Sequence, residues 1–261
     1  MTGILGIPKV TRRAYMVWRR NLEVFVKTWK VNFLPPFIEA PLYLSAIGLG
    51  VGSYITGIGG VPYVDFIAPA ILAIAVMTAA FFECTYGSYI RMYYQKSFDA
   101  MIATPLSLDD VIAGEILWGA TKSVLHVAAM ISVLAAFGVI SLPLSLLALP
   151  LAFLGGLLFS GIAMCCTALS PGIDALNYPA FLFVTPMTLF TGTFFPLDQM
   201  PVILQEIAII FLPLTHVVAL MRMLTLASPS WIGLLSLVWI CAITALICLV
   251  AINLMKRRLI V

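Results

Sequence analysis

Charge is what this chain has least of. Asp, Glu, Lys and Arg make up 10% of its 261 residues, against 62% hydrophobic ones, and the mean hydropathy is +1.11. A soluble domain is roughly a quarter charged, so a core of this size could not be covered in water. A phosphate loop is also lacking: no G-x-x-x-x-G-K-S/T segment occurs, and no Gly precedes a Lys anywhere. Nucleotide binding by that route is excluded. The two histidines, His126 and His216, are far apart and have no partners at metal-ligand spacing. No nucleophile elbow, internal repeat or separate soluble domain is found. The five cysteines, Cys84, Cys165, Cys166, Cys241 and Cys248, lie inside apolar runs. They read as small buried apolar residues rather than as disulfides or metal ligands. No cleavable signal peptide is expected, because the first apolar run follows a basic stretch of about thirty residues.

The few cations are not scattered. Thirteen of the fourteen Lys and Arg residues fall in three clusters. Lys9, Arg12, Arg13, Arg19, Arg20, Lys27 and Lys30 open the chain; Arg91, Lys96 and Lys122 flank a loop near position 100; Lys256, Arg257 and Arg258 come last. Only Arg222 stands apart. Cationic loops stay on the cytoplasmic side during membrane insertion. The pattern therefore predicts a multi-pass membrane protein with both termini and the middle loop in the cytoplasm. The net charge of +3 follows from this topology and does not point to nucleic acid. Anionic lipid headgroups are the natural partner for such clusters.

The expected fold is all-α, one transmembrane domain over 1–261 with six transmembrane helices. The apolar runs are 31–54, 66–90, 112–139, 144–169, 176–195 and 231–254, each about as long as a bilayer crossing needs. Pro35, Pro36 and Pro41 predict a bent or broken first span. In 1–30, Val17, Trp18, Leu22, Phe25, Val26 and Trp29 recur at helical spacing among the cations. That pattern fits an amphipathic interfacial helix, or a helix packed on a partner protein. The segment 196–228 is broken by Pro196, Pro201 and Pro213 into pieces too short to cross. With both ends cytoplasmic the number of crossings is even, so this segment is expected to be a re-entrant extracellular hairpin.

The loop 91–105 is short yet rich in apolar residues. Phe98, Met101 and Ile102 share a face at helical spacing, Lys96 and Asp99 are polar beside it, and Thr104-Pro105 ends the helix. A short helix docking in another protein's groove explains that composition; a helix folded back on the membrane surface is the alternative. Charges inside spans are costly and mark a pathway or a paired interior site. The candidates are Glu39, Glu83, Glu115, Lys122 and His126. Glu115, Trp118, Lys122 and His126 line one helical face. Glu115 is expected to pair with a basic loop residue, and Glu83 is within reach of Arg91. For Lys122 and His126 a polar path and bonds to neighbouring carbonyls both stay open. Glu39, after a double proline, would shape the mouth of a substrate path. A membrane-embedded lipid-modifying enzyme would need polar residues meeting at the interface, and the sequence alone displays no such constellation.

The sequence resembles the permease subunit of the type-2 ABC exporters over essentially its whole length. The resemblance rests on the basic amphipathic N-terminus, on Glu83 to Trp118 with Ala103-Thr104-Pro105-Leu106-Ser107 and Gly114-Glu115, and on Pro186 to Leu197 leading to Leu212-Pro-Leu-Thr-His216. This last stretch is similar to permeases for rhizobial nodulation lipo-oligosaccharides and to relatives in antibiotic efflux. The resemblance implies a homodimer in the bacterial cytoplasmic (inner) membrane, worked by two copies of a separate ATP-binding subunit, which would hold ATP and Mg, with no cofactor and no catalysis in this chain. It makes 91–105 the coupling helix, with Arg91, Lys96, Phe98, Asp99, Met101, Ile102, Thr104 and Pro105 meeting the ATPase. It also makes 196–228 the outer closure, with Phe194, Phe195, Pro196, Pro213 and His216 as gate candidates.

Overall fold

The computed structural model describes residues 8–55, 57, 58, 60–226 and 231–259. Among the described residues every long element is a helix, in the order α1 (Ala14–Lys27), α2 (Trp29–Tyr43), α3 (Tyr63–Phe82), α4 (Ser97–Ile102), α5 (Leu108–Ala136), α6 (Leu142–Ser145), α7 (Ala148–Leu169), α8 (Asn177–Pro179), α9 (Thr185–Phe190), α10 (Val202–Phe211), α11 (Pro213–Thr225) and α12 (Trp231–Leu259). Among the described residues five helical stretches are long and apolar enough to cross a membrane: Trp29–Ser53, Tyr63–Tyr94, Leu108–Ala136, Ala148–Leu169 and Gly233–Leu259. They coincide with five of the six expected spans. The remaining one, expected at 176–195, is a helical tract over 174–190 that passes through 3-10, α and π turns. It is the shortest of the set.

The double proline does not break the first span. Residues 29–53 remain helical across Pro35, Pro36 and Pro41, and α-helical geometry is lost only beyond them, where Leu44–Gly50 widens to π turns. Helices in lipid tolerate proline where the freed backbone groups are satisfied by local adjustment of the turn.

Helix α3 is the centre of the subunit: 83% of its most apolar window is buried, against 12% for α2 and 28% for the last span. It packs on α5, α7 and α11. The side chains of Phe81, Leu72, Met77, Met130, Leu134, Leu158 and Phe159 fill the space between these helices and are fully buried. Polar groups close some helix contacts, as where the Ser123 hydroxyl donates to the Val76 carbonyl at 2.9 Å.

Helix α1 lies along the near end of α5, with Ala14, Val17 and Asn21 as its buried face. Gly114 makes that approach possible, since a Cβ there would sit 2.5 Å from the Val17 Cβ and 2.7 Å from the Ala14 carbonyl oxygen. The Trp18 indole donates to the Thr121 hydroxyl at 2.8 Å, and the Phe25 ring meets Trp118 edge-on. Of the apolar face expected on this helix, Val26 and Trp29 stay exposed.

The start of α5 shows how the two chain ends are gathered. Ser107 and Asp110 form a reciprocal capping box, and Asp109 and Asp110 fill the first turn, where carboxylates suit the positive end of the helix dipole. Asp109 accepts from the Lys9 backbone N–H at 2.8 Å and pairs with the Lys256 ammonium at 2.9 Å. Asp110 accepts from the Thr11 backbone at 2.6 Å. Arg258, two residues beyond Lys256, donates to the Tyr93 hydroxyl at 3.1 Å and to the Thr167 carbonyl. Both ends of the described chain therefore lie at the same end of the bundle as α4.

Candidate functional site

The charged residues expected inside the spans are brought together. At the α4 end of the bundle, Glu83 pairs with the Lys122 ammonium at 2.6 Å and with the Arg91 guanidinium at 2.7 Å, and accepts from the Trp118 indole at 3.0 Å. Arg91 reaches on to Glu115 at 2.6 Å. Glu115, with no exposed surface, also accepts from the Ser88 hydroxyl at 2.7 Å and the Asn21 amide at 2.8 Å. Two carboxylates thus face two cations, and α1, α5 and the helical stretch 83–94 that continues α3 meet on one network. Buried ions need such pairing, because desolvating an unmatched charge costs several kcal/mol. A polar cavity of about 130 Å³ opens beside it, lined in part by Arg20, Asn32, Gln95 and Lys122.

This arrangement bears out the expected pairing of Glu115 and the reach of Glu83 to Arg91. It also bears on two further readings. A constellation of polar residues does meet between the helices, although its charged members are matched to one another. And neither Lys122 nor His126 settles on carbonyls: Lys122 takes Glu83, and the His126 Nε2 lies 3.1 Å from a Glu39 carboxylate oxygen. That second pair ties α2 to α5. The shared face of Glu115, Trp118, Lys122 and His126 is real; all four find partners from it.

The expected coupling segment is reorganised. Arg91 belongs to the helical stretch ending at Tyr94 and is committed to the inner network. Lys96 takes a left-handed conformation (φ 49°), which turns the chain into α4. Phe98 and Met101 are buried, not presented outward. The Arg20 guanidinium donates to the Ser97 hydroxyl at 2.9 Å, which fixes α4 to α1. What α4 offers to solvent is Lys96, Asp99, Ile102, Thr104 and Pro105, together with Ala100 and Ala103. The apolar face read from the spacing seats the helix on its own subunit, and the opposite face is the free one.

At the far end, α10 and α11 meet at 91° across Leu212, with Pro213 opening α11. His216 holds the bend. Its Nε2 donates to the Ile209 carbonyl at 2.9 Å, so its Nδ1 accepts from the Ser236 hydroxyl at 3.1 Å, and its ring stacks on Trp239 at 4.2 Å. Phe194 is half-buried, Phe195 is exposed, and Pro196 precedes a short 3-10 turn. The structure places these candidates around one corner of the fold.

Sequence reasoning passed over Asn21, Ser88 and Asp109. Asn21 carried a signal, as a polar residue on the apolar side of α1. Asp110 carried one too, in the Ser107-x-x-Asp110 spacing. Ser88 had none. Among the described residues no group of three or more His, Cys, Asp or Glu could hold a metal.

Comparison with known proteins agrees with this architecture. Residues 12–226 match the family described as ABC-2 type transporter. The chain is 34% identical over 243 residues to Nodulation protein J of Sinorhizobium fredii, covering 93% of this chain and 92% of the relative. It is 37% identical over 227 residues to Nodulation protein J of Rhizobium leguminosarum bv. trifolii, covering 87% and 86%. It is 24% identical over 186 residues to the Inner membrane transport permease YadH of Escherichia coli, covering 71% and 72%. No solved structure matches it at a significant level.

Proposed function

The chain belongs to the ABC-2 type transporter family, and from that premise we propose that it is the membrane-spanning subunit of an ATP-driven exporter of a lipo-oligosaccharide or lipid-linked glycan. The observation that carries this reading is the near end-to-end similarity to two proteins named for nodulation. The subunit works as a homodimer in the bacterial inner membrane, with its termini in the cytoplasm. Two copies of a separate ATP-binding subunit, carrying ATP and Mg, dock on the α4 end. ATP-driven closure of those subunits pushes on α4, and the dimer opens outward; no covalent bond changes in this chain.

Two surfaces support the reading. On α2, Val31, Leu34, Phe37, Ile38 and Leu42 are exposed, and an open groove of about 740 Å³ runs past all of these but Phe37, with Lys30 and Glu39 on its wall. In the tract 174–190, Tyr178, Phe181 and Leu182 are each at least 70% exposed. An apolar surface of this extent suits lipid or a second copy. Because α3 is buried at the centre of the subunit, the surface offered to a second copy belongs to α2 and 174–190. A largely apolar groove with Lys30 and Glu39 on its wall suits an acyl chain.

The test is transport in proteoliposomes with the cognate ATP-binding subunit, comparing a fluorescent lipo-oligosaccharide with a hydrophobic antibiotic. ATP-dependent movement of the first at the higher rate is expected. Movement of the antibiotic alone would assign the chain to drug efflux instead.

A further inference from the structure

We propose that Arg222 is the positioning residue of the outer closure, holding the segment 191–195 against α3 through its backbone carbonyls; this rests on the reading of the chain as an exporter permease. Arg222 is the cation that stands outside the three basic clusters. It sits on α11, at the end of the bundle away from α4. Among the described residues no carboxylate lies within ion-pair distance of it. A mostly buried guanidinium without a counter-ion is costly at membrane depth and marks a function by default.

What it does hold is a row of carbonyls. Its Nη2 donates to the Gly192 carbonyl at 2.7 Å and to the Thr193 carbonyl at 3.2 Å, and its Nε to the Phe66 carbonyl at 3.4 Å. The guanidinium also lies 3.8 Å above the Phe66 ring, a cation–π contact. The next carbonyl along, that of Phe194, accepts from the Tyr63 hydroxyl at 3.2 Å. Three successive carbonyls, 192 to 194, are therefore taken by side chains from α11 and α3. Gly192, at φ 73°, supplies the left-handed turn that aims them together. Thr191 and Thr193 are buried beneath the segment, while Phe195 projects from it, 54% exposed.

Three separate parts of the outer end, α3, the segment 191–195 and α11, thus share one cation. Moving any of them apart breaks its bonds. The planar fork matters, because a Lys ammonium is a point charge that cannot span the same row or stack on Phe66. Arg222 fixes where Phe194 and Phe195 stand, and so how far the outer path is closed at rest.

The test uses the full complex with its ATP-binding subunit in proteoliposomes. Phe195→Cys serves as reporter, and its reaction with a membrane-impermeant maleimide is followed without ATP, against the parent lacking that substitution. Arg222→Gln should raise the labelling rate about tenfold, as expected when charge-assisted bonds are lost from one side of a two-state balance. Arg222→Lys should fall between. Tyr63→Phe removes one hydroxyl from the same row and should shift the rate in the same direction by less; it decides the matter if Arg222→Gln does not assemble. Unchanged labelling in the assembled Arg222→Gln complex, or in Tyr63→Phe where Arg222→Gln fails to assemble, overturns the proposal. Failure of the parent to transport with ATP counts against the exporter reading alone, since the labelling comparison requires no transport.

Discussion

Glu115 shows how much rests on single ions here. It has no exposed surface and takes partners from α1 and, twice, from the helical stretch that follows α3. Arg91→Ala should therefore be the worst single change in the network. It leaves Glu115 buried without a cation, while Glu83 keeps Lys122. Truncating one member of a buried pair costs about 3–5 kcal/mol, readable as a lowered midpoint in denaturant titration of the detergent-solubilised protein. Arg91→Ala combined with Glu115→Ala should cost less than the sum of the two, because the second change removes the charge the first one stranded. Strict additivity would show that the two side chains do not interact. His126→Ala should add independently to either change, since its partner is Glu39, outside the network. The spacing of Glu115, Trp118, Lys122 and His126 on one face was legible in the sequence. Their partners were not, because Arg91 and Glu39 come from other helices and only packing brings them near.

At the scale of elements, hydropathy and charge located five of the long helices to within a few residues. The tract 174–190 was harder, because its 3-10 and π turns shorten what composition alone reads as a full crossing. Helix α4 was legible as a short amphipathic helix, but not the direction it faces. Periodicity says which residues share a side, and an apolar side suits the helix's own core as well as a partner's groove. Burial of Phe98 and Met101 settles the direction. Phe98→Asp is accordingly expected to reduce the amount of folded protein recovered from membranes. Ile102→Asp, on the exposed side, should leave recovery unchanged and weaken co-purification with the ATP-binding subunit. The reverse pattern would put the docking face on the buried side. Helix α1 depends on Gly114 in the same way: Gly114→Leu collides with Val17 and Ala14. Limited proteolysis should then cut within 14–27 several times faster than in the parent. An unchanged rate would mean that α1 does not need this contact.

For the whole molecule, the meeting of Lys9 and Lys256 on Asp109 sets both chain ends on one side with α4. The far end carries the bent pair α10 and α11 and the Arg222 row. The ion network lies at the α4 end of the bundle. On the proposed function the chain is a gate with its working surface at one end and its closure at the other, and the force comes from another chain. The direct measurement is ATP hydrolysis and lipo-oligosaccharide transport by three preparations in the same liposomes: this chain alone, the ATP-binding subunit alone, and both together. The account predicts ATP-dependent transport from the combined preparation only, with hydrolysis stimulated by substrate. Hydrolysis by this chain alone, or transport that does not depend on the partner, would contradict it.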